Sequence, residues 1–152
     1  DTRLRKLDEG QYAGIVLAAA GLKRLGLQAR IRHIFDEAQM LPAAGQGALG
    51  IEIRAGRDDL HALLAPLAHQ ETWLRVAAER AVSRAMGGSC SMPLAAHAVV
   101  QGGVLQIEAA WGDPEGAATL VRAQASSPQL TLPAAEALGL QVAAQLRAGG
   151  AH

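Results

Sequence analysis

The chain has very few cysteines, aromatic residues and lysines. Cys90 is its only cysteine in 152 residues, so no disulfide can form within the chain, and this usage suits a reducing cytoplasm. One cysteine also leaves no credible zinc ligand set, because none of the five histidines pairs at i, i+4 with a catalytic glutamate. We therefore expect a cytoplasmic protein without a metal site.

Aromatic residues make up only 3% of the chain although hydrophobic residues reach 50%, which predicts an interior of small aliphatic side chains in close contact. The 14 basic and 14 acidic residues cancel, so no general attraction to nucleic acid or membrane is expected. The longest uncharged apolar run, AGIVLAAAGL, is about half as long as a membrane-spanning helix.

The first part of the chain predicts short helices and strands in alternation. A helix capped by Thr2 should end near Gly10. We further expect a strand in AGIVLAA (13–19), a helical turn in AGLKRLGL (20–27), a helix in ARIRHIF (29–35), a strand in GALGIEIR (47–54) and a helix in RDDLHALLAPL (57–67). A strand leading into a helix start beside Lys23 and Arg24 is a natural anion site.

From about residue 69 the pattern predicts a compact α+β unit. A long helix in HQETWLRVAAERAVSRAM (69–86) should end at Gly87 and Gly88. Three strands, AAHAVVQ (95–101), VLQIEAAW (104–111) and ATLVRAQA (118–125), should form an antiparallel sheet. A last helix should run from about Pro133 to Arg147.

Two motifs invite enzymatic interpretations that their context disfavours. GQGALG (45–50) matches the dinucleotide pattern G-x-G-x-x-G, but Pro42 precedes it and a β-rich segment follows, which reverses the required strand-to-helix order. A crossing between two structural units is the better interpretation. Cys90 and His97 could form a thiol hydrolase pair only if the base lies within hydrogen-bond reach, and His97 falls in an alternating strand.

Cys90 itself lies in GGSCSMPLAAHA (87–98), between a glycine pair and a proline. A lone cysteine is commonly a small buried hydrophobe. Gly87, Gly88 and Pro93 instead describe a loop, where a thiol has little core to fill and where the backbone permits close approach by a bulky group. Residue types alone leave a structural and a functional cysteine both open.

Together, these segments resemble the porphobilinogen deaminase (hydroxymethylbilane synthase) family. TRLRKLDEGQYAGIVLAAAGLKRLGL is similar to the second half of the family's middle domain, and LPAAGQGALGIEIR to its crossing strand into the first domain. ERAVSRAMGGSCSMPLAAHA is similar to the cofactor-attachment signature, with Glu79 and Arg80 at the same distance before the cysteine. Met92 departs from the β-branched residue usual in the family and should pack within the loop.

The resemblance implies an α/β and α+β fold. Residues 1–42 would be the second half of the middle domain, 43–67 a crossing strand and helix of the first domain, and 68–152 the carboxy-terminal α+β domain with its three-stranded antiparallel sheet. The first two domains of the family form a periplasmic-binding-protein-like pair with a hinged cleft. We expect a fragment without its amino-terminal part, and a monomer when complete.

The resemblance also implies a transferase of tetrapyrrole and haem biosynthesis. Cys90 would carry dipyrromethane through a thioether, and Arg3, Arg24 and Gln46 would line the cleft. The family joins four porphobilinogen molecules head to tail onto this cofactor, releases ammonia and hydrolyses off hydroxymethylbilane. Its catalytic aspartate lies in the first domain, and no residue here matches it, so the fragment alone is expected to be inactive.

Two alternatives remain from other functional classes. The first is a non-catalytic anion-binding module of the periplasmic-protein type, with Cys90 unmodified. The second is a hydrolase that uses Cys90 and His97. Only the deaminase interpretation predicts a covalent dipyrrole on the cysteine, so the intact mass of the protein distinguishes it from both.

Overall fold

The computed structural model describes residues 2–89, 91–113, 115–116 and 119–151. Contacts divide the chain into two units, Asp1–Asp36 and Glu37–His152. The predicted domain divisions after residues 42 and 67 stay predictions. No helix within the described ranges is long and apolar enough to cross a membrane.

The first unit contains two short helices, α1 (Thr2–Asp8) and α2 (Ala19–Arg24), and a 3₁₀ turn at Gln28–Arg30. Both helices confirm the prediction from sequence. Gly10, with φ of 74°, follows α1 in the left-handed conformation that commonly ends a helix. Arg30 Nη2 donates to Asp8 Oδ1 over 2.5 Å, which joins the 3₁₀ turn to the end of α1.

The helix predicted over 29–35 is wrong beyond that 3₁₀ turn. The chain is already extended at Ile31, with φ of −74° and ψ of 119°, and residues 31–36 have no regular secondary structure. Isoleucine, histidine and phenylalanine are weaker helix formers than alanine or leucine. The rings of His33 and Phe35 meet edge to face with centroids 4.8 Å apart.

In the second unit, α3 spans Asp58–Leu64 and continues into a 3₁₀ turn at Ala65–Leu67, as predicted. Arg57 precedes this helix and donates from Nε and Nη2 to the two carboxylate oxygens of Asp59, at 2.8 and 2.7 Å. This forked pair lowers the pKa of the Asp59 carboxyl and raises that of the Arg57 guanidinium. Negative charge in the first turn also suits the helix dipole.

The rest of the second unit confirms the predicted α+β arrangement. Its elements are α4 (Gln70–Ala85), β1 (Leu94–Gln101), β2 (Val104–Trp111), β3 (Val121–Ser127) and α5 (Leu132–Ala148). The strands form an antiparallel sheet in the order β1-β2-β3. Gly102 and Gly103, with φ of 58° and 76°, make the β1–β2 connection, where a tight two-residue hairpin needs positive φ.

One face of the sheet packs against α4 and α5 and forms the core. The strand side chains buried in this core are small or branched aliphatic residues, namely Ala96, Ala98, Leu105, Ile107, Ala109 and Ala123. The two helices approach closely at Gly139, where an added Cβ would lie 2.3 Å from the Ala78 carbonyl oxygen and 2.6 Å from Ala81 Cβ. The interior of small aliphatic side chains predicted from composition is therefore confirmed in this unit.

The outer edge of β1 is covered by groups from other elements. The Ala96 N–H donates to the Pro42 carbonyl at 3.1 Å. The Ala98 N–H donates to Glu79 Oε1 at 2.8 Å, and the Ala98 carbonyl accepts from Arg75 Nε at 2.6 Å. At Ala96 and Ala98 these groups are therefore not available to pair with another strand.

The strands predicted over 13–19 and 47–54 are wrong. Ala19 already begins α2, and the other residues of both segments lie outside helices and strands, with Val16, Leu49 and Ile51 exposed by 66%, 92% and 60%. A strand forms only where a neighbouring strand accepts its main-chain hydrogen bonds. In the described part of the chain, strand pairing joins only β1 to β2 and β2 to β3. The periplasmic-binding-protein-like domain pair is therefore not confirmed.

Candidate functional site

The loop that carries the single cysteine begins where α4 ends. Gly87 and Gly88 follow the helix with φ of 116° and 66°, conformations that favour glycine. The Gly88 N–H donates back to the Ser83 carbonyl over 2.8 Å, which satisfies one of the free carbonyls at the helix end. The chain thus turns sharply away from α4 just before residue 90, although Cys90 itself lies outside the described residues.

The residues on either side of Cys90 are joined by hydrogen bonds. Ser89 Oγ accepts from the Ser91 N–H at 3.2 Å and lies 2.7 Å from Ser91 Oγ. The Ser89 carbonyl accepts from the Met92 N–H at 3.3 Å. These bonds draw residues 89, 91 and 92 into a narrow turn.

Met92 packs inside this loop, which confirms its predicted place. Its Sδ and Cε atoms both lie 3.2 Å from the position that a Cβ on Gly87 would occupy, and its side chain packs against the hydrophobic core. Gly87 is therefore favoured by its positive φ, and a Cβ at this position would also crowd the end of the methionine side chain.

Arg147, near the end of α5, donates from Nη2 to the main-chain carbonyl of Ala85, the last residue of α4. Arg84 also lies close to α5, with Nη2 3.5 Å from Glu136 Oε1. A cation at a helix carboxy terminus satisfies a free carbonyl and opposes the negative end of the dipole. Sequence reasoning missed the contact between Arg147 and Ala85 because these residues are 62 positions apart.

Glu79 is a second functional candidate whose contacts sequence reasoning missed. It is only 5% exposed, its Oε2 accepts from the Gly45 N–H at 2.7 Å, and its Oε1 accepts from the Ala98 N–H. One signal was available, because Glu79 directly follows Ala78 and stands three residues before Val82, on the buried stripe of α4. A charge within such a stripe indicates a specific partner.

The structure places the remaining predicted site residues in different units. Arg3 lies in α1 and Arg24 in the last turn of α2, both exposed and both in the first unit. Gln46 is exposed in the second unit, in a turn where its N–H donates to the Ala43 carbonyl at 3.0 Å. Their proposed roles in binding stay predictions, as does that of Cys90.

The G-x-G-x-x-G match does not open a helix. Gly45 and Gly47, with φ of 76° and 85°, form a turn, and the next helix begins only at Asp58. A pyrophosphate site of the dinucleotide type needs the amino terminus of a helix at this point. These residues therefore lack the helix start that such a site requires, and their role as a crossing segment stays a prediction.

His97 lies in β1, as predicted, with Nδ1 3.8 Å from Glu79 Oε1. It faces a shallow groove of about 690 Å³ on the outer side of the sheet. The groove is lined by Glu37, Ala38, Leu41, His97, Val99, Gln106, Ile107, Glu108, Gln124, Ala125 and Ser126. Arg3, Arg24 and Gln46 are not among these residues.

Comparison with protein families gives two matches that together cover most of the chain. Residues 1–62 match a family model described as porphobilinogen deaminase, dipyromethane cofactor binding domain. Residues 73–148 match one described as porphobilinogen deaminase, C-terminal domain. The first match contains Arg3, Arg24 and Gln46, whereas Cys90 falls within the second.

Curated relatives match nearly the whole chain. Porphobilinogen deaminase of Albidiferax ferrireducens is 66% identical over 148 residues, which are 97% of this chain and 47% of the relative. The proteins of the same name from Paraburkholderia phymatum and Ralstonia nicotianae are 61% and 56% identical, over 99% and 100% of this chain and 46% of each relative. The chain thus spans about half the length of the curated relatives it matches.

Proposed function

Because the chain belongs to the porphobilinogen deaminase family, we propose that the protein containing it is a hydroxymethylbilane synthase. This transferase joins four porphobilinogen molecules head to tail, releases ammonia at each condensation and hydrolyses off the linear tetrapyrrole for haem biosynthesis. In this proposal the chain supplies the second half of a middle domain, a crossing segment of the first domain, and the carboxy-terminal domain. The first two domains would form the periplasmic-binding-protein-like pair.

The observation that carries the proposal is the narrow turn after α4, formed by the hydrogen-bonded residues that stand directly before and after Cys90 in the sequence, inside the segment matched by the carboxy-terminal domain of the family. A cysteine in this turn has hydrogen-bonded neighbours on both sides and is preceded by two glycines. Such a turn suits covalent attachment better than a core position does, because two glycines let a bulky group approach the backbone closely.

The residues present fit a dipyrromethane cofactor. A thiol forms the thioether, and the exposed guanidinium groups of Arg3 and Arg24 suit the acetate and propionate groups of the pyrroles. When bound, the cofactor supplies the pyrrole end to which substrate is joined. Arg3, Arg24 and Gln46 would bind and orient the carboxylates, and arginine does this more specifically than lysine because its fork contacts both oxygens.

We further propose a cytoplasmic monomer that binds neither nucleic acid nor membrane. The single cysteine supports a reducing compartment, and the balanced charge supports a small-molecule substrate rather than a polyanionic partner.

Intact-mass measurement tests the proposal. A chimera can be made by joining this chain to the amino-terminal part of the A. ferrireducens relative, which is 66% identical over the shared segment. We expect the chimera to carry a dipyrromethane adduct on Cys90 and to convert porphobilinogen to hydroxymethylbilane. An active chimera without the adduct would overturn the role of Cys90, and an inactive chimera without the adduct would favour the anion-binding module.

A further inference from the structure

Glu79 is the only charged side chain in the described part of the chain that is buried. It lies in the middle of α4, where the other buried residues are Leu74, Ala78, Ala81 and Val82. A carboxylate at such a position is costly unless its oxygens accept hydrogen bonds. Its partners therefore indicate what it does.

Those partners come from two distant segments. Glu79 Oε2 accepts from the Gly45 N–H at 2.7 Å and Oε1 accepts from the Ala98 N–H at 2.8 Å, 34 and 19 residues away in sequence. Hydrogen bonds to an ionised acceptor are shorter and stronger than neutral ones. The side chain thus connects α4 to β1 and to the turn that contains Gly45.

That turn contains Gln46. Gly45 and Gly47, with positive φ, stand on either side of it, and the Ala48 N–H donates to the Gly45 carbonyl at 3.2 Å. The turn is attached to the sheet at Pro42, whose carbonyl accepts from the Ala96 N–H. The Gly45 N–H donates to Glu79 immediately before Gln46, so the carboxylate bonds to the main chain directly next to Gln46.

We propose that Glu79 is a positioning residue for Gln46. It does not contact the substrate, but it fixes the turn so that the Gln46 amide is held in place to bind a pyrrole carboxylate. This inference rests on the proposed function, in which Gln46 lines the cleft. Its structural half, the attachment of the turn by Glu79, can be tested without catalysis.

Amide hydrogen exchange in the 152-residue chain tests that half. Glu79→Met keeps the length of the side chain but removes both carboxylate oxygens, and Glu79→Gln keeps one acceptor oxygen. In Glu79→Met, exchange at the Gly45 and Ala98 amides should accelerate about ten- to a hundred-fold, as expected for loss of a bond to a charged acceptor. In Glu79→Gln, at least one of the two amides should accelerate.

The matched control is Glu136→Gln, which removes an exposed carboxylate of α5 that lies near Arg84. It should leave exchange at the Gly45 and Ala98 amides unchanged. If Gly45 is equally protected with and without the Glu79 carboxylate, the proposed attachment of the turn is wrong.

Kinetics of the chimera test the functional half. Gln46→Ala should raise the KM for porphobilinogen about ten-fold, and Glu79→Met should raise it similarly. The double variant should be no worse than the more impaired single variant, because two residues that act through one contact are not additive. If Glu79→Met does not fold, Gly45→Ala replaces it, because this change strains the turn at positive φ and leaves Glu79 in place. The KM of the Gly45→Ala/Gln46→Ala double variant should then be no higher than that of the more impaired single variant.

If the KM increases of the single variants multiply in the double variants, the positioning role is wrong and Glu79 contributes only to stability. An unmutated chimera without activity would overturn the proposed function and the kinetic role together. The exchange experiment would still show in that case whether Glu79 holds the turn, so the two failures are distinguishable.

Discussion

Arg147 donates a hydrogen bond from its guanidinium to the carbonyl of Ala85, so the last turn of α5 is fastened to the end of α4. The residues that follow Ala85 form the turn that leads to Cys90. The end of α5 therefore stabilises the end of α4, from which the chain continues to Cys90.

Replacing Arg147 should loosen this end of the second unit. Arg147→Leu removes a donor to the Ala85 carbonyl and a cation at a helix carboxy terminus, which should lower the free energy of unfolding by about 1 kcal/mol. Urea unfolding followed by circular dichroism measures the change. Arg122→Leu is the control, because it breaks only an exposed cross-strand pair to Glu108, and such pairs contribute little. Equal losses at both sites would contradict a specific role for Arg147.

Gly139 should not tolerate even one methyl group. In Gly139→Ala the new Cβ would lie 2.3 Å from the Ala78 carbonyl oxygen, so α5 must move away from α4, at a cost of about 1–3 kcal/mol. Gly21→Ala in α2 is the matched control, because its Cβ would meet no atom within 4 Å. That change should be neutral or stabilising by up to about 1 kcal/mol. Thermal unfolding of both variants gives the comparison.

The success of sequence reasoning depended on where the partners of each element lie. The β1–β2 hairpin follows from local alternation and from the glycine pair that connects two strands adjacent in sequence. Helix α4 follows from its own periodicity and from the glycines that end it, because a helix completes its main-chain hydrogen bonds within itself even though its packing partner α5 is distant in sequence. The segments 13–19 and 47–54 have strand-like composition, but a strand is completed by its neighbour. Composition alone cannot supply that neighbour.

The candidate site shows the same limit. The loop around Cys90 was predicted from Gly87, Gly88 and Pro93, whereas the contacts of Arg147 with Ala85 and of Glu79 with Gly45 join residues far apart in sequence. No spacing rule reports such pairs. Binding roles for Arg3, Arg24 and Gln46 came from family resemblance rather than from their side chains, which by themselves predict only solvated surface positions.

One substitution directly tests the proposed covalent attachment of dipyrromethane to Cys90. Cys90→Ser in the chimera should abolish the dipyrromethane adduct, because a hydroxyl is a far weaker nucleophile than a thiolate. Intact mass and the colour reaction with an acidic aldehyde reagent both report the adduct. Retention of the dipyrrole in Cys90→Ser would show that another residue carries it.

Arginines that bind carboxylates should differ in effect from arginines that do not. Arg3→Leu or Arg24→Leu in the chimera should reduce cofactor assembly or chain elongation about ten- to a hundred-fold, as expected for loss of a charge-assisted contact. Arg122→Leu, in β3, should have little effect on either. Rates of porphobilinogen consumption and the fraction of protein with cofactor measure these outcomes. Similar losses at all three positions would indicate general destabilisation and remove the argument for a carboxylate site.

The 152-residue chain by itself should not make hydroxymethylbilane. It spans about half the length of its relatives, and the family resemblance predicts that the aspartate that stabilises positive charge as ammonia leaves lies in the first domain, outside this chain. Electrostatic stabilisation is often the largest catalytic contribution, and removing one such group typically costs about 10²–10³ in rate. A partial cleft also fails to align two pyrroles, which adds a loss from proximity.

The chain should nevertheless fold in its second unit, because α4, α5 and the three strands bury a shared core. Incubating it with porphobilinogen and following uroporphyrin after acid cyclisation and oxidation tests the expectation, with the chimera as the positive control. Activity should return only when the amino-terminal part is supplied. Turnover by the chain alone near that of the chimera would place the catalytic group within these 152 residues. The buried carboxylate of Glu79 would then be the first candidate for that group, to be tested by substitution.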